Sequence, residues 1–132
     1  MLFRSCGVVI AIPDYPYSNI TKAETTGIPI YGVTEKNRRF IAPQSIQVTK
    51  MHDMDGDNIV EKDMWASAGE YLAVVTGTGK SVKQAAERAY NVVKELHVPD
   101  LMWRDDIGEK LKKEIPELQK HGYADEFEYG EA

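Results

Sequence analysis

Two stretches of the chain are apolar at almost every position, and the segments around them alternate or turn. Gly7-Val8-Val9-Ile10-Ala11-Ile12 reads as a strand buried on both faces, ended by Pro13. Tyr71-Leu72-Ala73-Val74-Val75-Thr76 reads the same way, broken by Gly77-Thr78-Gly79. Between them lie weaker strand signals. Ile28 to Val33 is apolar, with Pro29 placing it at a sheet edge. Phe40 to Ala42 is extended. From Ser45 to Met51, Ile46 and Val48 alternate with Gln47 and Thr49, the pattern of a half-buried strand. Asp53 to Asn58 is turn-rich and Ile59-Val60 resumes the strand pattern, so the pair predicts a hairpin.

The period then changes. Val82, Ala85, Ala86, Ala89, Val92, Val93 and Leu96 form one apolar stripe at helical spacing. Ser81 is a suitable N-cap, and Gln84, three residues on, completes a capping box. Pro99 stops any continuation. A second helix is expected after Asp105 or Asp106, with Ile107, Leu111 and Ile115 stacked and Pro116 ending or kinking it near Glu114. Strands grouped before helices predict an α+β fold: an antiparallel sheet or half-barrel of five to six strands covered by two C-terminal helices. The expected division is one domain over residues 1–115 and an acidic tail over 116–132.

Composition narrows the function classes. A chain of 132 residues has the size of one domain, and 42% hydrophobic with 28% charged residues excludes a disordered or fibrous chain. No apolar run approaches the roughly 20 residues that cross a bilayer as a helix, and Met1-Leu2-Phe3-Arg4 leads into no signal-peptide cleavage site. Sixteen Lys and Arg against 21 Asp and Glu give a net charge of −5, the wrong sign for a nucleic-acid footprint. No nucleic-acid or membrane partner is therefore expected. Asp125, Glu126, Glu128 and Glu131 read as a solvated tail. Cys6 is the only cysteine, so no internal disulfide is possible; this fits a cytoplasmic protein. Its apolar surroundings mark it as a core residue and not a nucleophile.

Most short motifs dissolve on inspection. Thr78-Gly79-Lys80-Ser81 suggests a phosphate-binding loop, but the position needing the first glycine holds Val74, inside a strand. A single phosphate at this helix start, near Lys80, is the residual possibility. Asp53-Met54-Asp55-Gly56-Asp57-Asn58 imitates the start of a calcium loop, yet Asn58 and Met64 occupy the positions needing Gly and Glu. His52, His97 and His121 are too scattered for a metal site, and His97 reads as a partly buried histidine. Asn19-Ile20-Thr21 matches a glycosylation sequon with nothing else to indicate secretion. Trp103-Arg104-Asp105-Asp106-Ile107-Gly108 is different. One role is local: an aspartate caps the helix, Arg104 pairs with a carboxylate and Gly108 packs closely. The other is functional: Arg104 projects into a cleft and its planar fork binds an anionic substrate.

These residues carry a resemblance. Leu72-Ala73-Val74-Val75-Thr76, then Gly79, a helix containing Arg88-Ala89-Tyr90, and Arg104-Asp105-Asp106-Ile107-Gly108 together resemble the C-terminal domain of phosphoribosylamine–glycine ligase, an ATP-grasp enzyme of purine synthesis. The likeness spans Cys6 to Leu111 and is strongest from Leu72 to Gly108. There are departures. Asp14 and Tyr17 stand where the family has the glycines of Gly-Tyr-Pro-Gly, and Tyr71 stands where it has the arginine of Gly-Gly-Arg.

The resemblance implies that the full enzyme joins glycine to phosphoribosylamine through a glycyl phosphate, using ATP and Mg²⁺. It implies that this chain supplies one wall of an interdomain site. Arg104, Asp106 and Gly108 are the expected substrate-binding residues: Arg104 meets substrate, Asp106 orients the loop and Gly108 keeps it tight. No catalytic residue, metal ligand or cofactor is expected within these 132 residues, because the family's ATP-binding lid and magnesium carboxylates precede the matching segment. The expected partners are ATP-grasp domains, in the same enzyme or as a separately encoded subunit. The alternative is a non-catalytic interaction module or partner subunit that keeps the fold. A third reading is small-molecule binding by the loop from Pro13 to Gly27.

Overall fold

The computed structural model describes residues 3–13, 15–17 and 24–130. Among these described residues six strands and two α-helices follow in order: β1 Arg4–Ala11, β2 Thr26–Pro29, β3 Ile41–Pro43, β4 Ile46–Asp55, β5 Asn58–Ala68, β6 Tyr71–Gly79, α1 Val82–Glu95 and α2 Leu111–Lys120. The class is α+β. The strands form two antiparallel sheets of three, ordered β1-β6-β3 and β2-β5-β4.

The two apolar runs become neighbours. Val8 pairs with Val75 and Ile10 with Ala73. Val8, Ile10, Leu72 and Val75 have at most 1% of their surface exposed, and α1 lies over them with Ala89, Val92 and Val93. The α1 start follows the capping-box logic. The Gln84 N–H donates to Ser81 Oγ at 3.2 Å, and Gln84 Oε1 accepts from the Lys80 N–H at 2.8 Å.

Strand β6 does not stop at Gly77-Thr78-Gly79, as the sequence pattern suggests, but pairs through Gly79 with Arg4. The reason is the helix above it. A Cβ on Gly77 would lie 2.2 Å from the Ala85 carbonyl oxygen, and one on Gly79 would lie 2.9 Å from the Ala85 nitrogen. These glycines let α1 approach the sheet; they do not turn the chain.

The hairpin forms about a two-residue turn, with Asp55 opposite Asn58 and positive φ at Gly56. The phase of the alternation in β4 is corrected: Gln47, Thr49 and Met51 are half-buried, while Val48, with Lys50 and His52, lies on the solvent face and is 64% exposed.

The second helix also differs. Neither Asp105 nor Asp106 caps it. Residues 108–110 first form a tighter turn, and the helix runs from Leu111 through Pro116 to Lys120. Pro116 is the sixth of the ten residues and lies inside this short helix, which buries Ile115 alone. The segment beyond α2 folds back. Gln119 Nε2 donates to the Ala124 and Phe127 carbonyls at 3.1 and 2.9 Å. The Val82 and Lys83 N–H groups donate to the Glu128 and Tyr129 carbonyls at 3.1 and 2.7 Å. Arg4 lies 4.1 Å from the Phe127 ring centre and donates to the Glu126 carbonyl at 2.6 Å. The acidic side chains of this segment, Asp125, Glu126 and Glu128, are exposed, while its backbone docks on the start of α1 through the Glu128 and Tyr129 carbonyls.

Candidate functional site

The site residues expected from sequence lie on the segment joining α1 to α2. Its base is sewn to β1: the Met102 N–H donates to the Ala11 carbonyl at 2.8 Å, and the Ala11 N–H to the Met102 carbonyl at 2.9 Å. Its middle is held by α1. Tyr90 projects from the helix, donates its hydroxyl to the Arg104 carbonyl at 2.7 Å and accepts the Ile107 N–H at 3.0 Å. One phenol thus fixes both sides of a four-residue span.

Within that span Arg104 and Asp106 make a two-point pair. Arg104 Nε donates to Asp106 Oδ1 at 2.9 Å and Nη2 to Oδ2 at 2.7 Å, the fork geometry that suits carboxylates. The hydrogen bonds from Arg104 hold the Asp106 carboxyl below the usual carboxylate range, against the opposing effect of desolvation. The same bonds raise Arg104. Burial raises the Tyr90 phenol. The Asp106 carbonyl accepts the Glu109 N–H at 3.1 Å, turning the chain toward α2. Gly108 follows with φ +86°, a conformation in which a side chain is strained, and a Cβ there would press on Val82 at 3.2 Å.

Arg104, Asp106 and Gly108 are therefore brought together. The Arg104 side chain is 70% exposed and that of Asp106 43%. Gly108 and Ile107 line a groove of about 480 Å³ with Arg4, Cys6 and Leu111, while Arg104 stands in solvent. A guanidinium has five N–H donors, and the pair with Asp106 uses two, so three remain for another acceptor.

The other candidates fare differently. The Val82 and Lys83 N–H groups, where a phosphate could have sat near Lys80, already donate to the chain's own C-terminal carbonyls. His97 is corrected from partly buried to exposed; only its backbone is tied, bridging to Tyr31. Asp53 pairs with Lys62 across the hairpin at 2.6 Å, which lowers the Asp53 carboxyl. Cys6 is half-buried in β1, and burial raises its thiol. Residues 14 and 18–23 of the Pro13–Gly27 loop, which include the Asn19-Ile20-Thr21 sequon, lie outside the described residues.

Two residues matter more than the sequence signalled. Tyr90 counted only as part of a motif, although a tyrosine on the flank of an apolar stripe is the natural place for a bridging hydroxyl. Asn37, in a polar turn, is 3% exposed. Its amide donates to the Gly32 carbonyl and to Glu95 Oε2, both at 2.8 Å, and its Oδ1 accepts the Thr34 N–H at 2.8 Å. It ties the Gly32–Arg39 loop to the end of α1.

The model of the phosphoribosylglycinamide synthetase C domain matches residues 5–110. The chain belongs to this family. No curated protein matches it significantly. The C-domain match takes in both sheets, α1 and the whole Arg104–Gly108 loop, and ends at Lys110, the residue before α2. Within the C domain, Tyr71, at the position where the resemblance leads one to expect an arginine, packs its ring 5.4 Å from that of Tyr15. Among the described residues no group of three or more His, Cys, Asp or Glu could hold a metal ion, and no helix is long and apolar enough to cross a membrane.

Proposed function

We propose that this C domain forms one wall of the interdomain active site of a phosphoribosylamine–glycine ligase of purine biosynthesis, working with ATP-grasp domains in the same enzyme or as a separate subunit. The supporting observation is the Arg104–Gly108 segment: it lies inside the family match, its conformation is set by Tyr90, and it presents a guanidinium with donors to spare. In this reading Arg104 meets an anionic part of the substrate. Asp106 is a positioning residue that holds the fork in place, so little rotamer freedom is lost when substrate arrives. Gly108 keeps the loop tight against Val82. ATP and Mg²⁺ supply the activation of the carboxylate in the full enzyme. Nothing among the described side chains forms a ligand set for the metal, so no step is assigned to it in this domain.

Amide hydrogen exchange tests the placement. When the chain is combined with the ATP-grasp domains of the ligase, protection should rise over residues 102–108. Protection confined to the β4–β5 hairpin, or none at all, would overturn the proposal.

The second reading is an interaction module without the ligase role. The Tyr15–Tyr71 ring contact favours it, because an aromatic pair fills a position where the family carries a cation. Restoring growth of a strain lacking only this domain separates the two: rescue supports the ligase, and binding without rescue supports the module.

A further inference from the structure

The flank of α1 opposite Tyr90 carries a second concave feature. Arg88 and Tyr90 are two residues apart, roughly 200° around the helix, so they face different surroundings. Arg88 borders a cavity of about 330 Å³ between α1, the end of β6 and the 3-10 turn Arg38–Phe40. Arg39, Thr78 and Asn91 complete its polar rim, and Phe40 and Val92 its apolar wall. That volume is at the lower end of the range for small-ligand sites.

The charge pattern is the informative part. The chain has five arginines and an excess of carboxylates. Arg38 pairs with Glu35 and Arg104 with Asp106. Arg39 and Arg88 pair with no carboxylate among the described residues, and no Asp or Glu lines the cavity. The nearby acids are turned elsewhere: Glu95 accepts from Asn37 Nδ2 at 2.8 Å, and Glu87 lies 4.0 Å from Lys83 Nζ. Two arginines thus line one concavity, and neither pairs with a carboxylate among the described residues.

Their frame is built. Asn37 anchors the turn that carries Arg39. The Thr76 hydroxyl donates to the Phe40 carbonyl at 3.1 Å, and the Arg39 guanidinium lies 4.7 Å from the Phe40 ring centre. Arg88 Nη1 donates to the Thr78 carbonyl at 2.8 Å, which orients the group and leaves its remaining N–H donors available.

We propose that this cavity binds a small phosphomonoester, with the phosphate between Arg39 and Arg88 and a compact apolar body against Phe40 and Val92. Two planar forks suit the tetrahedral oxygens of a phosphate, and the Phe40–Val92 wall favours an apolar substituent over a bare ion. The site stands on the other flank of α1 from the Arg104 loop and does not rest on the ligase reading.

Titration of the intact chain with phenyl phosphate, followed by backbone amide NMR, tests it. The shifts should concentrate at residues 39–40, 76–78 and 88–92. Arg39→Gln should weaken binding at least about tenfold, equivalent to about 1.4 kcal/mol. The Arg39 side chain makes no hydrogen bond among the described residues, so this variant keeps the fold even if Arg88→Gln, which loses the Thr78 contact, does not. Inorganic phosphate should bind the same residues more weakly, and benzyl alcohol should not bind. Unchanged affinity in Arg39→Gln, shifts centred elsewhere, equal affinity for inorganic phosphate, or equal binding of benzyl alcohol would overturn the proposal.

Discussion

The two sheets obey the same pairing rules and end in opposite conditions. In the β1-β6-β3 sheet the central strand is capped by a helix, and Leu72, Ala73 and Val75 are wholly buried. In the β2-β5-β4 sheet the tip of the β4–β5 hairpin contributes nothing to the core, and the facing Met54 and Ile59 are 60% and 71% exposed. A strand's hydrogen bonds can be complete in both cases, so pairing does not explain the difference. The covering helix does. Anything attached to α1 inherits the rigidity of a packed core, and both the Arg104 loop and the turn carrying Arg39 are attached to it, through Tyr90 and through Asn37 with Glu95. The hairpin tip inherits nothing.

The largest expected effect strikes the covered sheet. Gly77→Ala forces a methyl group into the backbone of α1, and overpacking of this kind costs about 3 kcal/mol; a urea midpoint unchanged from wild type would mean that α1 does not press on β6. Next comes the tether. Tyr90→Phe leaves the Arg104 carbonyl and the Ile107 N–H without their partner, which should cost about 1–2 kcal/mol. It should also speed amide exchange at Ile107. Exchange as slow as in wild type would show that the loop is held by something else.

A pH effect follows within the loop. Asp106 has a depressed carboxyl pKa in the folded chain, because Arg104 favours the charged form. The contribution of the pair is therefore present above the unfolded-state pKa and is lost as pH falls through the lower, folded value. Carboxyl ¹³C titration should place Asp106 below the ordinary carboxylate range, and Arg104→Ala should return it there. An identical midpoint in both proteins would remove the pair from the account. The smallest effect belongs to the uncovered sheet: Ile59→Ser, at the hairpin tip, should change stability by less than about 0.5 kcal/mol. A loss comparable to that of Gly77→Ala would erase the contrast between the sheets.

What could be read in advance follows the same divide. The β1 and β6 runs, the α1 stripe and the Ser81 cap are local patterns with local causes, and they are where the sequence places them. The Gly77-Thr78-Gly79 segment misleads because its glycines answer a helix that arrives later in the chain. Pro116 misleads because α2 continues through it to Lys120. Docking of the C-terminal segment on Val82 and Lys83 uses backbone carbonyls, which leave no mark in side-chain composition. At the candidate site, Trp103-Arg104-Asp105-Asp106-Ile107-Gly108 stands out by residue type, and the pairing of Arg104 with a carboxylate is one of its two readings. Which aspartate accepts, and that Tyr90 ties the Arg104 carbonyl to the Ile107 N–H, are properties of the fold.

The central claim is that the C domain presents Arg104 to the substrate of the assembled ligase from a loop held by α1. Its most direct test is the steady-state rate of the assembled enzyme carrying Arg104→Ala. Loss of a charge-assisted hydrogen bond to substrate should lower kcat/KM about 10- to 100-fold, with no change in the urea midpoint of the domain. Wild-type kcat/KM in a normally folded variant would contradict the claim.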